Sequence, residues 1–223
     1  MDKLENKKII FFGKITAAMT HEINNVLAII KESAGLMQDI ISMARDSDFP
    51  YLDKFQSTMA QIDKQVQRGI NVTKKLNRFA HSADEPVAKI DLHELTDQIV
   101  SLSRRFARLK NVSLKLLPAK NEDHLLIIVS RPVQLQMALF TCIESFVNIL
   151  EPGGEIHIRD EKRGDQYTVN ISCKGDIAKE SDYVQSIASS ETWEELERIV
   201  DLLKGKVELD ASAPAIMLIL PEK

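Results

Sequence analysis

The segment Thr20-His21-Glu22-Ile23-Asn24-Asn25 brings together three residue types that can act on a phosphoryl group. A neutral imidazole is a nucleophile near neutral pH. A carboxylate beside it, Glu22, can accept a hydrogen bond from one ring N–H. That fixes the tautomer and frees the other nitrogen to attack phosphorus. At about 3.6 residues per helical turn, His21 and Asn25 stack one above the other, and the Asn25 amide can hold a water in line with a phosphoryl group. Met19 and Ile23 lie on an apolar seam, so His21 falls on the opposite, solvent-facing side. The same pattern also describes an ordinary solvated histidine on a helix. A zinc-protease site is excluded, because that motif needs a second histidine where Asn25 stands.

These residues need a long helix to present them, and the spacing predicts two. The first runs from about Lys7 to Ala44, with the seam Phe12, Ile15, Met19, Ile23, Val26, Ile30, Ala34, Met37 and Ile41. The steps alternate between three and four, a heptad pattern. A break follows at Asp46-Ser47-Asp48-Phe49-Pro50, with Pro50 placed to start a second helix that runs to about Ala80. Its seam is Leu52, Phe55, Met59, Ile62, Val66, Gly69, Thr73, Leu76 and Ala80. Two helices alone cannot cover both seams. The expectation is an antiparallel hairpin that pairs with a second copy as a homodimeric four-helix bundle.

Residues 81–88 are polar and contain Pro86, as a linker would. After them helix and strand alternate. Asp91-x-x-Glu94 resembles a capping box that opens a helix to about Leu109. Strands are expected over Val112–Leu117, Leu125–Ser130, Glu155–Asp160, Tyr167–Cys173, Val207–Leu209 and Ala215–Leu220. Helices are expected from Pro132 to the Pro152-Gly153-Gly154 stop and over Trp193–Leu203. The fold class is therefore α+β: a long helical hairpin followed by an α/β sandwich with helices on one sheet face.

The chain has 223 residues, 44% of them hydrophobic and 28% charged, with a net charge of −4. That composition is globular, and a mildly acidic balance without a Lys/Arg block disfavours nucleic acid as a partner. No apolar run is long enough for a membrane span. The two cysteines, Cys142 and Cys173, sit in apolar-periodic segments and read as buried thiols of a reducing, cytoplasmic compartment. No Gly-x-Gly occurs among the eight glycines, so the usual phosphate-cradling loops are missing. The other histidines, at 81, 93, 124 and 157, show no metal-ligand spacing and read as structural or solvated, and no metal site is expected.

His21-Glu-Ile-Asn-Asn-Val-Leu27, inside the first helix of a hairpin, resembles the H-box of two-component sensor histidine kinases, with Val26 where proline is common. The resemblance extends along nearly the whole chain. Gln136 through Val147, followed by Gly153-Gly154-Glu-Ile-His-Ile158, is similar to the N-box helix and its following strand. Tyr167 through Gly175 is similar to the strand that enters the Asp-x-Gly box, and Leu196 through Pro221 to the last helix and strand. The resemblance implies a dimerisation and phosphoacceptor hairpin over 1–83, a linker over 84–88 and a gyrase-type ATPase fold over 89–223. It also implies that the nucleotide site has decayed. The two N-box asparagines correspond to Phe140 and Glu144. The adenine-binding aspartate corresponds to Cys173, followed by Lys174, and the lid ends in Ser190-Glu-Thr-Trp193 without glycine. Base recognition, metal binding and the phosphate cradle are each affected.

The implied activity is a histidine phosphotransferase that moves a phosphoryl group between response-regulator receiver domains through His21, without ATP. No cofactor is expected on this chain, and Mg²⁺ is expected in the receiver. The receiver would dock along Ala28, Lys31, Glu32 and Gly35, where the small residues allow close approach. Three alternatives stay open: a receiver phosphatase using Glu22 and Asn25, a non-catalytic pseudokinase scaffold, and a kinase with an aberrant ATP site.

Overall fold

A computed structural model describes residues 3–43, 52–118, 125–177 and 183–222. The expected break at Asp46–Pro50, the helix start at Pro50 and His124 lie outside the described residues. The chain divides into two compact units, Phe12–Ala80 and a second formed by Met1–Phe11 with His81–Lys223.

The first unit is the part within Phe12–Ala80 of two antiparallel helices, α1 (Lys3–Met43) and α2 (Leu52–His81). Phe12 and Phe79 stack with ring centroids 4.7 Å apart. Further along, Glu22 accepts a hydrogen bond from Arg68. A Cβ at Gly69 would stand 3.2 Å from Val26 Cγ1, so glycine here lets the two helices approach closely. The buried positions of α1 include Ile15, Ala18, Met19, Glu22, Val26, Ser33 and Ile40. On α2 the covered positions are Phe55, Thr58, Ile62, Gln65, Gly69, Val72, Leu76 and Phe79, in steps of three and four. This corrects the expected seams. Ala34 and Ile41 on α1 and Met59, Val66, Thr73 and Ala80 on α2 are exposed. The cause is that each helix carries two apolar stripes and a single hairpin covers one of them. The covered stripe of α1 also includes polar Glu22 and Ser33, which a count of apolar residues passes over.

In the second unit, β1 (Ala88–Asp91) and β3 (Ile127–Ser130) form a two-stranded antiparallel sheet. The main sheet has the order β2-β4-β5-β7-β6, built from Ser113–Leu116, Glu155–Arg163, Gln166–Lys174, Ala215–Pro221 and Lys206–Asp210. β2 and β4 run parallel, and the other neighbours are antiparallel. Helices α3 (Leu92–Leu109), α4 (Pro132–Ile149) and α6 (Glu191–Leu202) pack side by side, with α4 central. Alternation puts Ile156, Ile158, Val169, Ile171, Ile216 and Leu218 into one fully buried sheet face. Leu135, Leu139, Cys142 and Phe146 of α4 are buried as deeply. Each such aliphatic or aromatic side chain contributes about 1.5–3 kcal/mol on burial.

The expected starts of α3 and α4 are present. Asp91 caps α3, accepting from the N–H groups of His93 and Glu94, and Pro132 opens α4. Two elements were not anticipated. Ala88 belongs to β1 rather than to a linker, and α5 (Tyr183–Ala188) precedes α6. The fold class is the expected one: a long helical hairpin followed by an α/β sheet domain.

Candidate functional site

His21 is exposed at mid-length on α1 and hydrogen-bonds to none of the described residues. At about 100° per residue, it points away from both apolar stripes of its helix. Asn25, one turn on, is half-buried on the same side. Glu22 is turned inward instead, at 9% exposure, and accepts a hydrogen bond from the Arg68 guanidinium of α2. The expected carboxylate–imidazole pairing therefore gives way to a cross-helix ion pair beside His21. Arg68 was not anticipated. Its partner lies 46 residues away in sequence, and no local spacing signals such a pair.

The expected docking residues continue along α1. Ala28, Lys31 and Glu32 are exposed and Gly35 is half-exposed. A Cβ at Gly35 would meet nothing within 4 Å, so its lack of a side chain relieves no crowding within the chain.

The residues expected to correspond to a kinase nucleotide site lie in the second unit. Phe140 on α4 is buried, with the rings of Phe11 and Phe106 each 5.3 Å from its own. This is a three-ring apolar cluster with tilted and edge-on contacts of the kind aromatic rings favour. Glu144, one turn on, is half-buried. Lys7 Nζ lies 2.9 Å from Glu195, and that hydrogen bond, with the added fields of Glu195, Glu191 and Glu144, holds its ammonium above the ordinary lysine value. Cys173 lies on β5 opposite Ile156, and burial pushes its thiol up to about 11. Burial raises the Cys142 thiol further still. Lys174 is exposed at the end of β5. Ser190 caps α6 by accepting from the Trp193 N–H, so the segment without glycine serves as a helix start.

The other described histidines are paired. His93 Nδ1 lies 2.9 Å from the fully buried Asp160, His157 Nε2 lies 2.9 Å from Glu155, and His81 Nδ1 lies 2.7 Å from Asp84. Among the described residues, no group of three His, Cys, Asp or Glu side chains is placed to hold a metal ion. No described helix is long and apolar enough to cross a membrane.

No protein-family model matches the sequence, and no curated protein matches it. Solved structures do. The catalytic domain of histidine kinase ThkA, in a nucleotide-free form, is 17% identical, with 62% of this chain and 98% of that chain covered and a TM-score of 0.51. Histidine kinase AdeS of Acinetobacter baumannii is 13% identical, with 91% of this chain and 98% of that chain covered and a TM-score of 0.49. ThkA in complex with the response regulator protein TrrA is 18% identical, with 98% of this chain and 64% of that chain covered and a TM-score of 0.47. The first likeness shows a shared fold: the sheet domain of this chain is built as a histidine kinase catalytic domain.

Proposed function

We propose that the protein is a histidine phosphotransferase of two-component signalling, carrying a phosphoryl group on His21 between receiver-domain aspartates without ATP. The observation that carries this reading is an exposed imidazole on a helical hairpin attached to a kinase-type fold whose position 140 is a core phenyl ring. A phenyl group offers no ligand to a metal and no hydrogen bond to a phosphate. Cys173, with its protonated thiol, replaces the acceptor that adenine recognition needs.

In the transfer step the free ring nitrogen of His21 attacks the phosphorus of an aspartyl phosphate. An N–P bond forms as the P–O bond to the receiver breaks, the carboxylate leaves, and the ring keeps its proton on the other nitrogen. The reverse step delivers the group to a second receiver. The receiver supplies Mg²⁺, and Ala28, Lys31, Glu32 and Gly35 form its docking face on α1. The second apolar stripe of the hairpin, with Leu27, Ile41, Met59, Val66 and Ile70 exposed, is the surface for a second copy of the chain. Two buried free thiols fit a reducing compartment such as the cytoplasm.

A second reading is favoured by Asn25, which is half-buried one turn from His21. Its amide can hold a water in line with a receiver's aspartyl phosphate, giving a phosphatase.

Incubation with radiolabelled ATP, and separately with a phosphorylated receiver, tests these readings against a His21→Ala control. The expected result is label on His21 from the receiver and none from ATP. Label from ATP would overturn the proposal in favour of a kinase. Loss of phosphate from the receiver, undiminished in His21→Ala, would overturn it in favour of the phosphatase.

A further inference from the structure

Glu22 lies on the covered stripe of α1, where an apolar side chain is expected, and pairs with Arg68 of α2, whose side chain stays part-exposed. Met19 and Val26, one turn to either side of Glu22, are almost fully buried. An ion pair with one partner buried and the other solvent-exposed is a weak source of stability, because desolvation of the carboxylate and screening of the guanidinium offset most of their attraction. Stability therefore does not explain its presence, and its location suggests another role. Glu22 is the immediate neighbour of His21, and its carboxylate is held within the helix pair. A phosphoryl group on His21 would bring about two negative charges close to that carboxylate. Like charges at that range oppose each other, so phosphorylation requires a cation at the same place.

Arg68 is that cation. A single terminal nitrogen of its guanidinium bonds Glu22, while the side chain stays 42% exposed. The guanidinium carries further N–H donors in a planar fork whose geometry matches phosphate oxygens. We propose that Arg68 binds the phosphoryl group on His21, and that Glu22 is a positioning residue that anchors the guanidinium rather than a base acting on the imidazole. This inference rests on phosphoryl transfer through His21 as proposed above.

The test compares wild type, Arg68→Ala, Arg68→Gln, Arg68→Lys and Glu22→Gln with two donors: a phosphorylated receiver and the small donor phosphoramidate. The readouts are the rate of labelling of His21 and the hydrolysis rate of the phosphohistidine, with folding checked by circular dichroism. Arg68→Ala and Arg68→Gln are expected to slow labelling from both donors by about tenfold to a hundredfold. Arg68→Lys, which keeps the charge and loses the fork, is expected to recover part of the rate. Glu22→Gln is expected to lose less than Arg68→Ala. Should Arg68→Ala fail to fold, Arg68→Gln, which can still donate to Glu22, carries the comparison. Labelling of folded Arg68 variants at the wild-type rate would overturn the assignment alone. So would a defect confined to the receiver donor, which would make Arg68 a docking contact. Absence of label on wild type from either donor would overturn both this assignment and the transfer reading beneath it.

Discussion

Cys173 shows how burial alters the chemistry of a single side chain. A thiol on a buried strand face has neither the charge nor the acceptor of an aspartate, and burial raises its pKa to about 11 from an ordinary 9.0. The sign follows directly. The folded state keeps the proton that the unfolded state gives up, so this stabilisation is complete below the unfolded value and is lost as pH rises through the folded one. Lys7, held above its ordinary value chiefly by the Glu195 hydrogen bond, acts in the same direction. The urea midpoint of wild type is expected to fall from about pH 8 to about pH 10.5, and that of Cys173→Ala to fall less. Equal losses in both proteins would show that the thiol plays no part. The inward placement of Glu22 is the other lesson at this scale. Its position beside His21 was legible in the sequence, but its partner was not. Periodicity marks which face a residue occupies and says nothing about a guanidinium supplied by another helix.

Local rules located most of the elements. Asp91 caps α3 and Pro132 opens α4 as their residue types require, because those signals act over a single turn. β1 was hidden because Ala88-Lys-Ile-Asp91 buries only Ile90, too little for an alternating pattern. α5 was hidden because six residues are too few for a helical period. The expected α1 seam is covered at all but Ala34 and Ile41, whereas on α2 every second expected position is exposed, because two apolar stripes lie side by side and the sequence does not rank them. A tighter constraint sits where α6 leads into β6. A Cβ at Gly205 would stand 2.5 Å from the backbone oxygen of Ile219 on β7. A backbone oxygen inside a sheet cannot move aside as a flexible side chain does. Gly205→Ala is expected to cost about 1–3 kcal/mol, read as a lower urea midpoint with an unchanged m-value. An unchanged midpoint would mean that β7 can shift without loss.

At the scale of the whole molecule, the proposed pairing of two copies rests on the uncovered stripe. Leu27, Met59 and Ile70 are between 42% and 56% exposed, at heptad-compatible positions on both helices of the hairpin. A charge placed there should leave the fold intact while separating the copies. Leu27→Glu with Ile70→Glu is expected to sediment at half the wild-type mass, with unchanged far-UV dichroism. A wild-type protein that already sediments as a monomer would remove this reading. The strand order carries a consequence for biosynthesis. β7 lies between β5 and β6, yet it is the last of the described strands, and among the described residues β6 pairs with no other strand. While the ribosome is still short of residue 215, β6 has no place in the sheet, and β5 presents an open row of N–H and C=O groups to any other nascent chain. A message cut before that point yields an aggregation-prone edge rather than a smaller working domain.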